Sequence, residues 1–388
     1  MMHPARRFGI ALFVAAACVR PLGAQDLPRG TIIDAVTCAS DAAQTYALYL
    51  PSTYSADRAW SVLMAFHPGA RGRAMDEKYQ AAAEQYGYIV AGSNTSRNGP
   101  MTVSDAAVRA MSGDLGRRFA IDADRIYLTG LSGGARVALQ VALLNKNIAG
   151  VIASSAGYPD VKPRSSVSFP LFGTAGTDDF NYLEMRQLDR KLTSPHHLEV
   201  FSGGHTLPPD AVALDAIEWM ELQAMKAGRR PKDEALIDRL LEKRRKRIAE
   251  SPDGAATVHL LEALAEDFKG VRDVAAEAAR ARDLARQPEV KKALSRERGN
   301  DDAEARLLGE ILDIEAGLHD ASRHDASIGR LRDHLTRLAH LADAPTESAE
   351  RSQARRVLRN ITAGAAERVD DPEYHRLLEQ YAPRSRQP

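Results

Sequence analysis

Arg125-Ile126-Tyr127-Leu128-Thr129-Gly130-Leu131-Ser132-Gly133-Gly134-Ala135-Arg136, running on into Val137-Ala138-Leu139-Gln140-Val141-Ala142, reads as a short buried strand, a sharp turn and a helix. One serine stands at the apex. The pattern is G-x-S-x-G in the setting a serine nucleophile requires: a strained strand-to-helix turn exposes the hydroxyl, and small residues on either side let strand and helix close up. Gly130 and Gly134 are those residues. Gly133 opens the helix, where its N–H can donate to a developing oxyanion. Five residues of this kind recur by chance, so the strand before and the alanine-rich helix after carry the reading.

On either side of this stretch strands and helices alternate. Ile32 to Cys38 and Tyr46 to Leu50 read as an antiparallel pair, and Val62-Leu63-Met64-Ala65-Phe66 as a fully buried strand. Further strands are expected at 88–91, 151–153, 169–173 and 198–201, with helices at 76–86, 103–119, 182–192 and 211–226. This alternation predicts an α/β fold, a mostly parallel sheet covered by helices on both faces. Such sheets bind ligands at the carboxyl ends of their strands. A catalytic residue should therefore follow a strand. Phe172-Gly173-Thr174-Ala175-Gly176 leads into Thr177-Asp178-Asp179, and Phe201-Ser202-Gly203-Gly204 leads into His205. Ser132, Asp179 and His205 thus fall in the order Ser, Asp, His at one edge. Asp178 is the alternative to Asp179. His196 and His197 precede their strand and belong to the opposite edge, and His67 comes before the serine.

The expected roles follow from acid–base chemistry. A serine hydroxyl does not ionise at neutral pH, so Ser132 needs histidine as its base, and the aspartate fixes the ring tautomer and stabilises the imidazolium. The structural alternatives are a loop histidine at His205 and a helix cap at Asp179. A second oxyanion donor is expected in the loop His67-Pro68-Gly69-Ala70-Arg71-Gly72. Pro68 has no N–H, which leaves Gly69 or Ala70 beside Gly133.

Residues 44–226 resemble the alpha/beta hydrolases, and more narrowly the exported esterases grouped with polyhydroxybutyrate depolymerases and feruloyl esterases. The resemblance is carried by Tyr46-Ala47-Leu48-Tyr49-Leu50-Pro51, by His67-Pro68-Gly69, by Gly130-Leu131-Ser132-Gly133-Gly134, by Asp179 and by Gly203-Gly204-His205. It implies a serine hydrolase fold with Ser132, Asp179 and His205 as triad. Many relatives have His-Gly where this chain has His67-Pro68. Only about a dozen residues separate the strand at 151–153 from the next. That is too few for a lid domain, so an open cleft for soluble esters is expected, with Tyr158 either a lining residue or part of a surface turn.

The chain has 388 residues, 52 basic and 52 acidic, so its net charge of zero gives no sign of nucleic acid as partner. Residues 1–25, with Arg6, Arg7, the apolar run Phe8 to Ala17 and Leu22-Gly23-Ala24, read as a signal peptide and hence export to the periplasm or medium. Ala15-Ala16-Ala17-Cys18 is the competing lipoprotein reading. No later apolar run is long enough to span a membrane. Cys38 is then the one cysteine of the mature chain, which excludes an internal disulfide. The 11 histidines show no metal-ligand spacing, and no cofactor is indicated.

Two domains are expected, a hydrolase domain over 26–228 and a charged helical domain over 229–388, with Gly228-Arg229-Arg230-Pro231 as the seam. The second has Phe268, Tyr374 and Tyr381 as its aromatics. Leu307, Leu308, Ile311, Leu312, Ile314 and Leu318 should form one apolar face and Leu331, Leu335, Leu338 and Leu341 another, as in stacked helical hairpins of tetratricopeptide-like kind. Lys243-Arg244-Arg245-Lys246-Arg247 reads as a solvated helix face. The expected activity is hydrolysis of a small-molecule ester. The alternatives are a peptidase of the same fold, or a scaffold that binds a protein partner through its helices.

Overall fold

The computed structural model of the chain describes residues 27–160, 162, 164–252 and 254–381. The signal-peptide reading of 1–25 and the lipid attachment at Cys18 lie outside the described residues.

Eight strands form one sheet. β1 (Ile32–Cys38) and β2 (Asp41–Tyr49) make a hairpin, and then β3 (Trp60–Phe66), α1 (Gly72–Tyr86), β4 (Tyr88–Ser93), α2 (Met101–Arg118), β5 (Ile121–Leu131) and α3 (Gly133–Leu144) alternate. They are followed by β6 (Ile148–Ser154), β7 (Leu171–Gly176), α4 (Tyr182–Lys191), β8 (His196–Phe201) and α5 (Asp210–Lys226). The strand order is β1-β2-β4-β3-β5-β6-β7-β8. β2 runs antiparallel to β1 and β4, and every other pairing is parallel. β3, β4, β6 and β7 are buried along their whole length, as apolar runs covered on both faces must be. Side chains alternate between the layers: Val62, Met64 and Phe66 pack with α2 and α3, whereas Leu63 and Ala65 pack with α1 and α5. His196 and His197 open β8 rather than precede it, and they remain at its amino end, far along the strand from Phe201.

α5 stops at Gly228, whose φ of +70° only glycine adopts freely. Gly228 N–H donates to Met225 O (3.3 Å) and Arg229 N–H to Ala224 O (2.9 Å), a Schellman closure. Helices follow: α6 (Glu234–Glu250), α7 (Ala255–Phe268), α8 (Ala275–Arg286), α9 (Pro288–Ala316), α10 (His324–Ala342), α11 (Ala349–Arg368) and α12 (Pro372–Glu379). Asp233 caps α6 by accepting from Leu236 N–H (2.9 Å), and Pro288 and Pro372 occupy first turns, where a missing N–H costs nothing. Leu236, Leu240, Leu261, Leu264 and Phe268 share one apolar cluster with Leu222 and Met225 of α5, so the two halves of the chain pack together. A second cluster gathers Ile311, Ile314, Leu318, Leu331, Leu335 and Leu338 with α11 and α12.

Three expectations change here. Leu312 is 46% and Leu341 39% exposed. At 3.6 residues per turn Leu312 points about 100° away from Ile311, and Leu341 sits in the last turn of α10. The helices from α7 to α11 run 14, 12, 29, 19 and 20 residues, lengths that one repeating hairpin does not generate. The basic run in α6 is not simply a solvated face: Lys243 pairs with Asp215 and Glu218 (2.5 Å each), and Arg247 grips Glu199 of β8.

Candidate active site

Ser132 sits between β5 and α3 with φ +54° and ψ −121°, one of three non-glycine residues with positive φ among the described residues. The strain holds because two glycines remove every obstacle around it. A Cβ on Gly130 would lie 2.2 Å from Gly134 C, and one on Gly134 would lie 2.1 Å from Phe66 O. The elbow therefore presses α3 onto the ends of β5 and β3. Gly133 N–H donates to no protein acceptor among the described residues, and the carboxamide of Asn98, exposed and free of hydrogen bonds, lies directly against Gly133.

The turn after β7 carries the carboxylates. Asp179 is fully buried; its Oδ1 accepts from Asn181 N–H (2.9 Å) and meets His205 Nδ1 at 2.8 Å. The one oxygen thus serves both as turn cap and as partner of the histidine. Asp179 Oδ2 has no hydrogen-bond partner among the described residues. Asp178, the alternative, faces Arg355 instead (2.9 Å). His205, in the loop after β8, keeps 19% of its side chain exposed and stacks on Phe180 at 3.9 Å between ring centres. Gly176 lets the two loops touch, since a Cβ there would meet Gly203 O and Gly204 O at 2.4 Å. Among the described residues no hydrogen bond joins Ser132 to His205. In a free enzyme such bonds are often long and tighten only when substrate binds.

The loop after β3 is more self-contained than its sequence suggests. Gly69 N–H points at His67 Nδ1 (2.9 Å), and Ala70 N–H donates to His67 O (3.1 Å). Arg71 Nη2 lies 2.9 Å from His67 Nε2. Burial, reinforced by the Arg71 charge, pulls the His67 pKa down to about 4, so its ring is neutral near pH 7 and offers a single acceptor nitrogen. Gly69 and Arg71 compete for it. Tyr158 packs half-buried on the apolar layer under α2 and α3, with Arg164 4.8 Å above its ring; its carbonyl accepts from Arg136 Nη1 (2.8 Å). That is a packing role in the loop after β6, where Arg136 also holds Glu184 through two bonds of 2.8 and 2.9 Å.

The strand order, with an antiparallel second strand, a serine elbow after β5, a carboxylate after β7 and a histidine after β8, decides the architecture. The chain has the alpha/beta-hydrolase fold. No family model matches the chain, and no curated protein matches it. Among solved structures it is similar to a thermostable esterase (16% identity, TM-score 0.39), covering 48% of this chain and 61% of that one. An esterase of Pyrobaculum calidifontis has 11% identity and a TM-score of 0.40 over 51% of this chain and 86% of its own. The Bacillus cereus carboxylesterase has 16% identity and a TM-score of 0.38 over 47% and 96%. These likenesses extend over about half of the chain, and at such TM-scores they add nothing to what the strand order shows.

The sequence pointed to Ser132 through its G-x-S-x-G turn, and to Asp179 and His205 through strand ends, chain order and the family resemblance. It gave no sign of Phe180, of Asn98, or of the arginines of α11 that reach the acid turn. No helix among the described residues is long and apolar enough to cross a membrane.

Proposed function

We propose that the chain is an exported serine hydrolase that cleaves carboxylic esters through an acyl-enzyme on Ser132. His205 Nε2 takes the Ser132 proton as Oγ attacks the carbonyl carbon, and returns it to the departing alcohol. A water then repeats the sequence, releasing the acid and restoring Ser132. Asp179 Oδ1 accepts from Nδ1–H, which leaves Nε2 free to act as base, and Gly133 N–H donates to the oxyanion. The observation that carries this reading is the 2.8 Å contact between Asp179 and His205 on adjoining loops, at the same sheet edge as the strained Ser132.

A second reading is a scaffold of the same fold acting through its helices. It is favoured by the engagement of Gly69 and Ala70 N–H within their own turn, since an oxyanion site is ordinarily built from two donors. Labelling of the mature protein by a fluorophosphonate probe, with short-chain aryl esters assayed on the same samples, separates the two. Labelling and turnover are expected in the wild type, both lost in Ser132→Ala; a folded wild type that does neither sinks the esterase reading.

A further inference from the structure

The turn that carries Asp179 leaves a problem the sheet does not solve. Its N–H groups are satisfied locally, Asp178 by Gly203 O (2.8 Å) and Asp179 by Gly176 O (3.1 Å), but several of its carbonyls face away from the strands. Those carbonyls are met by one face of α11, more than 170 residues along the chain. Arg356 Nη1 donates to Thr177 O (2.7 Å), Arg359 Nη1 to Asp178 O (3.1 Å) and Asn360 Nδ2 to Phe180 O (3.3 Å). Arg355 Nη1 adds a charged bond to Asp178 Oδ2 (2.9 Å). Positions 355, 356, 359 and 360 lie on neighbouring turns of one helix face, so a single element supplies every one of these donors. Arg359 also abuts the histidine loop: a Cβ on Gly204 would lie 3.0 Å from its Nη1.

We propose that α11 positions the catalytic acid, its Arg359 and Asn360 side chains fixing the Asp178–Phe180 backbone so that Asp179 and Phe180 hold His205 in register. The inference rests on the hydrolase reading of Ser132, Asp179 and His205. The helix is itself a rigid carrier. Arg356 forks onto Glu304 of α9, both side chains buried, and covers the Tyr182 ring at 4.3 Å. A helical half that merely docked could spread its contacts over any exposed face. Instead α11 converges on the two loops that carry the acid and the base.

Three variants of the full mature chain test this. Arg359→Ala/Asn360→Ala removes two of the backbone donors, Arg359→Lys keeps a donor, and Arg351→Ala alters α11 at a guanidinium that bonds Glu347 and Ala342 O and no group of the acid turn. Misplacing a catalytic group by about 1 Å costs about 100-fold, so the double variant should lose about ten- to a hundredfold in kcat on a short-chain aryl ester, with KM within about twofold. Arg359→Lys should recover part of that loss, Arg351→Ala should turn over as wild type, and amide exchange over 177–182 should quicken in the double variant alone. A folded double variant with wild-type kcat overturns the proposal, as does a loss that Arg351→Ala equals. If the double variant does not fold, Arg359→Ala and Asn360→Ala singly carry the same two readouts, and wild-type kcat with unchanged exchange in both overturns it. If the wild type neither labels nor turns over, the hydrolase reading has failed, and the exchange measurement still decides whether α11 holds the turn.

Discussion

Around β3 the chain is held by apolar packing: Val62, Leu63, Met64, Ala65 and Phe66 are all fully buried and divide between two layers of aliphatic and aromatic neighbours. At the seam between the sheet and the helices, beside the apolar cluster that joins α5 to α6 and α7, charges are buried as well. Glu199 is gripped by Arg247, His197 lies 3.3 Å from Asp267, Trp219 Nε1 donates to Asp267 (2.6 Å), and Arg190 and Arg356 meet Asp301 and Glu304. The two regions answer to different physics. Apolar burial is roughly proportional to area and has no preferred direction, so it sets how firmly the sheet holds without fixing the angle of a neighbour. A guanidinium fork accepts one orientation of its carboxylate, so the seam fixes where α11 falls on the acid turn. The cost is sensitivity: charges at a seam respond to pH and to the loss of one partner, and the sheet centre does not.

The largest effect is expected where packing alone decides. Gly134→Ala places a Cβ 2.1 Å from Phe66 O, a backbone atom with no room to move. Strain of this kind costs about 1–3 kcal/mol and occasionally more, and because the elbow bears it directly the loss of activity is the largest expected. Fluorophosphonate labelling should vanish and thermal unfolding should shift down or lose cooperativity. A Gly134→Ala protein that melts and labels as wild type would mean the close approach of α3 to β3 is not what holds Ser132.

Next comes the seam. Glu304→Ala leaves Arg356 as a buried cation without its partner, a change that costs about 3–5 kcal/mol. Because Arg356 also donates to Thr177 O, the loss should reach the acid turn, visible as faster amide exchange over 177–182 together with a lower melting temperature. Equal destabilisation with no change in that exchange would show the seam to be glue alone.

A smaller effect is expected from pH. Burial works against a charged His197, but the neighbouring carboxylates of Asp267 (3.3 Å) and Glu199 (3.6 Å) outweigh it and raise its pKa above the ordinary 6.5. The folded state thus binds this proton more tightly than the unfolded chain. Its contribution is fully present below about pH 6.5 and is lost as pH rises through the folded value. Thermal stability should fall on that rise in the wild type and flatten in His197→Gln. A decline of the same slope in both proteins would remove His197 as its source.

How much of this was open to reading follows from range. The elbow is local: Gly130, Ser132 and Gly134 specify one turn, and a strand end is marked by the glycines of 173–176 and 203–204, so the edge on which Asp179 and His205 fall could be derived. The antiparallel β1–β2 pair and the buried β3 were equally plain, because period and apolar run are properties of neighbours in sequence. The arginines of α11 were not. Arg355, Arg356 and Arg359 look like any charged helix, and their partners at 177–180 leave no periodic trace across so long a separation. The same blindness made Lys243 and Arg247 look solvated when both reach the sheet half. The engagement of Gly69 N–H was hidden for another reason, since it depends on the ring orientation of His67.

The smallest effect tests the comparison from its other side, because the sheet half has a buried carboxylate of its own. Asp76, in α1 behind Gly72 and Gly92, is fully buried, and neither carboxyl oxygen has a hydrogen-bond partner among the described residues. Burial pushes its pKa well above the usual carboxylate range, and the nearby Gly92 N–H opposes that shift without closing a hydrogen bond. The folded protein therefore keeps the proton on Asp76 to higher pH than the unfolded chain does. Its favourable share is fully present below the unfolded pKa, about 3.9, and declines as pH rises toward the folded value, the folded chain then having to keep a proton the unfolded chain releases. Asp76→Asn supplies a neutral group of the same shape at every pH. It should melt with the wild type near pH 4 and above it at pH 8, whereas the same exchange at the seam, Asp267→Asn, should lower stability at pH 6 by taking the charge from beside His197. Opposite signs for one chemical change would separate a buried carboxyl that no partner holds from one that joins two elements; a loss at pH 8 in Asp76→Asn would mean that the Asp76 site, too, relies on its anion.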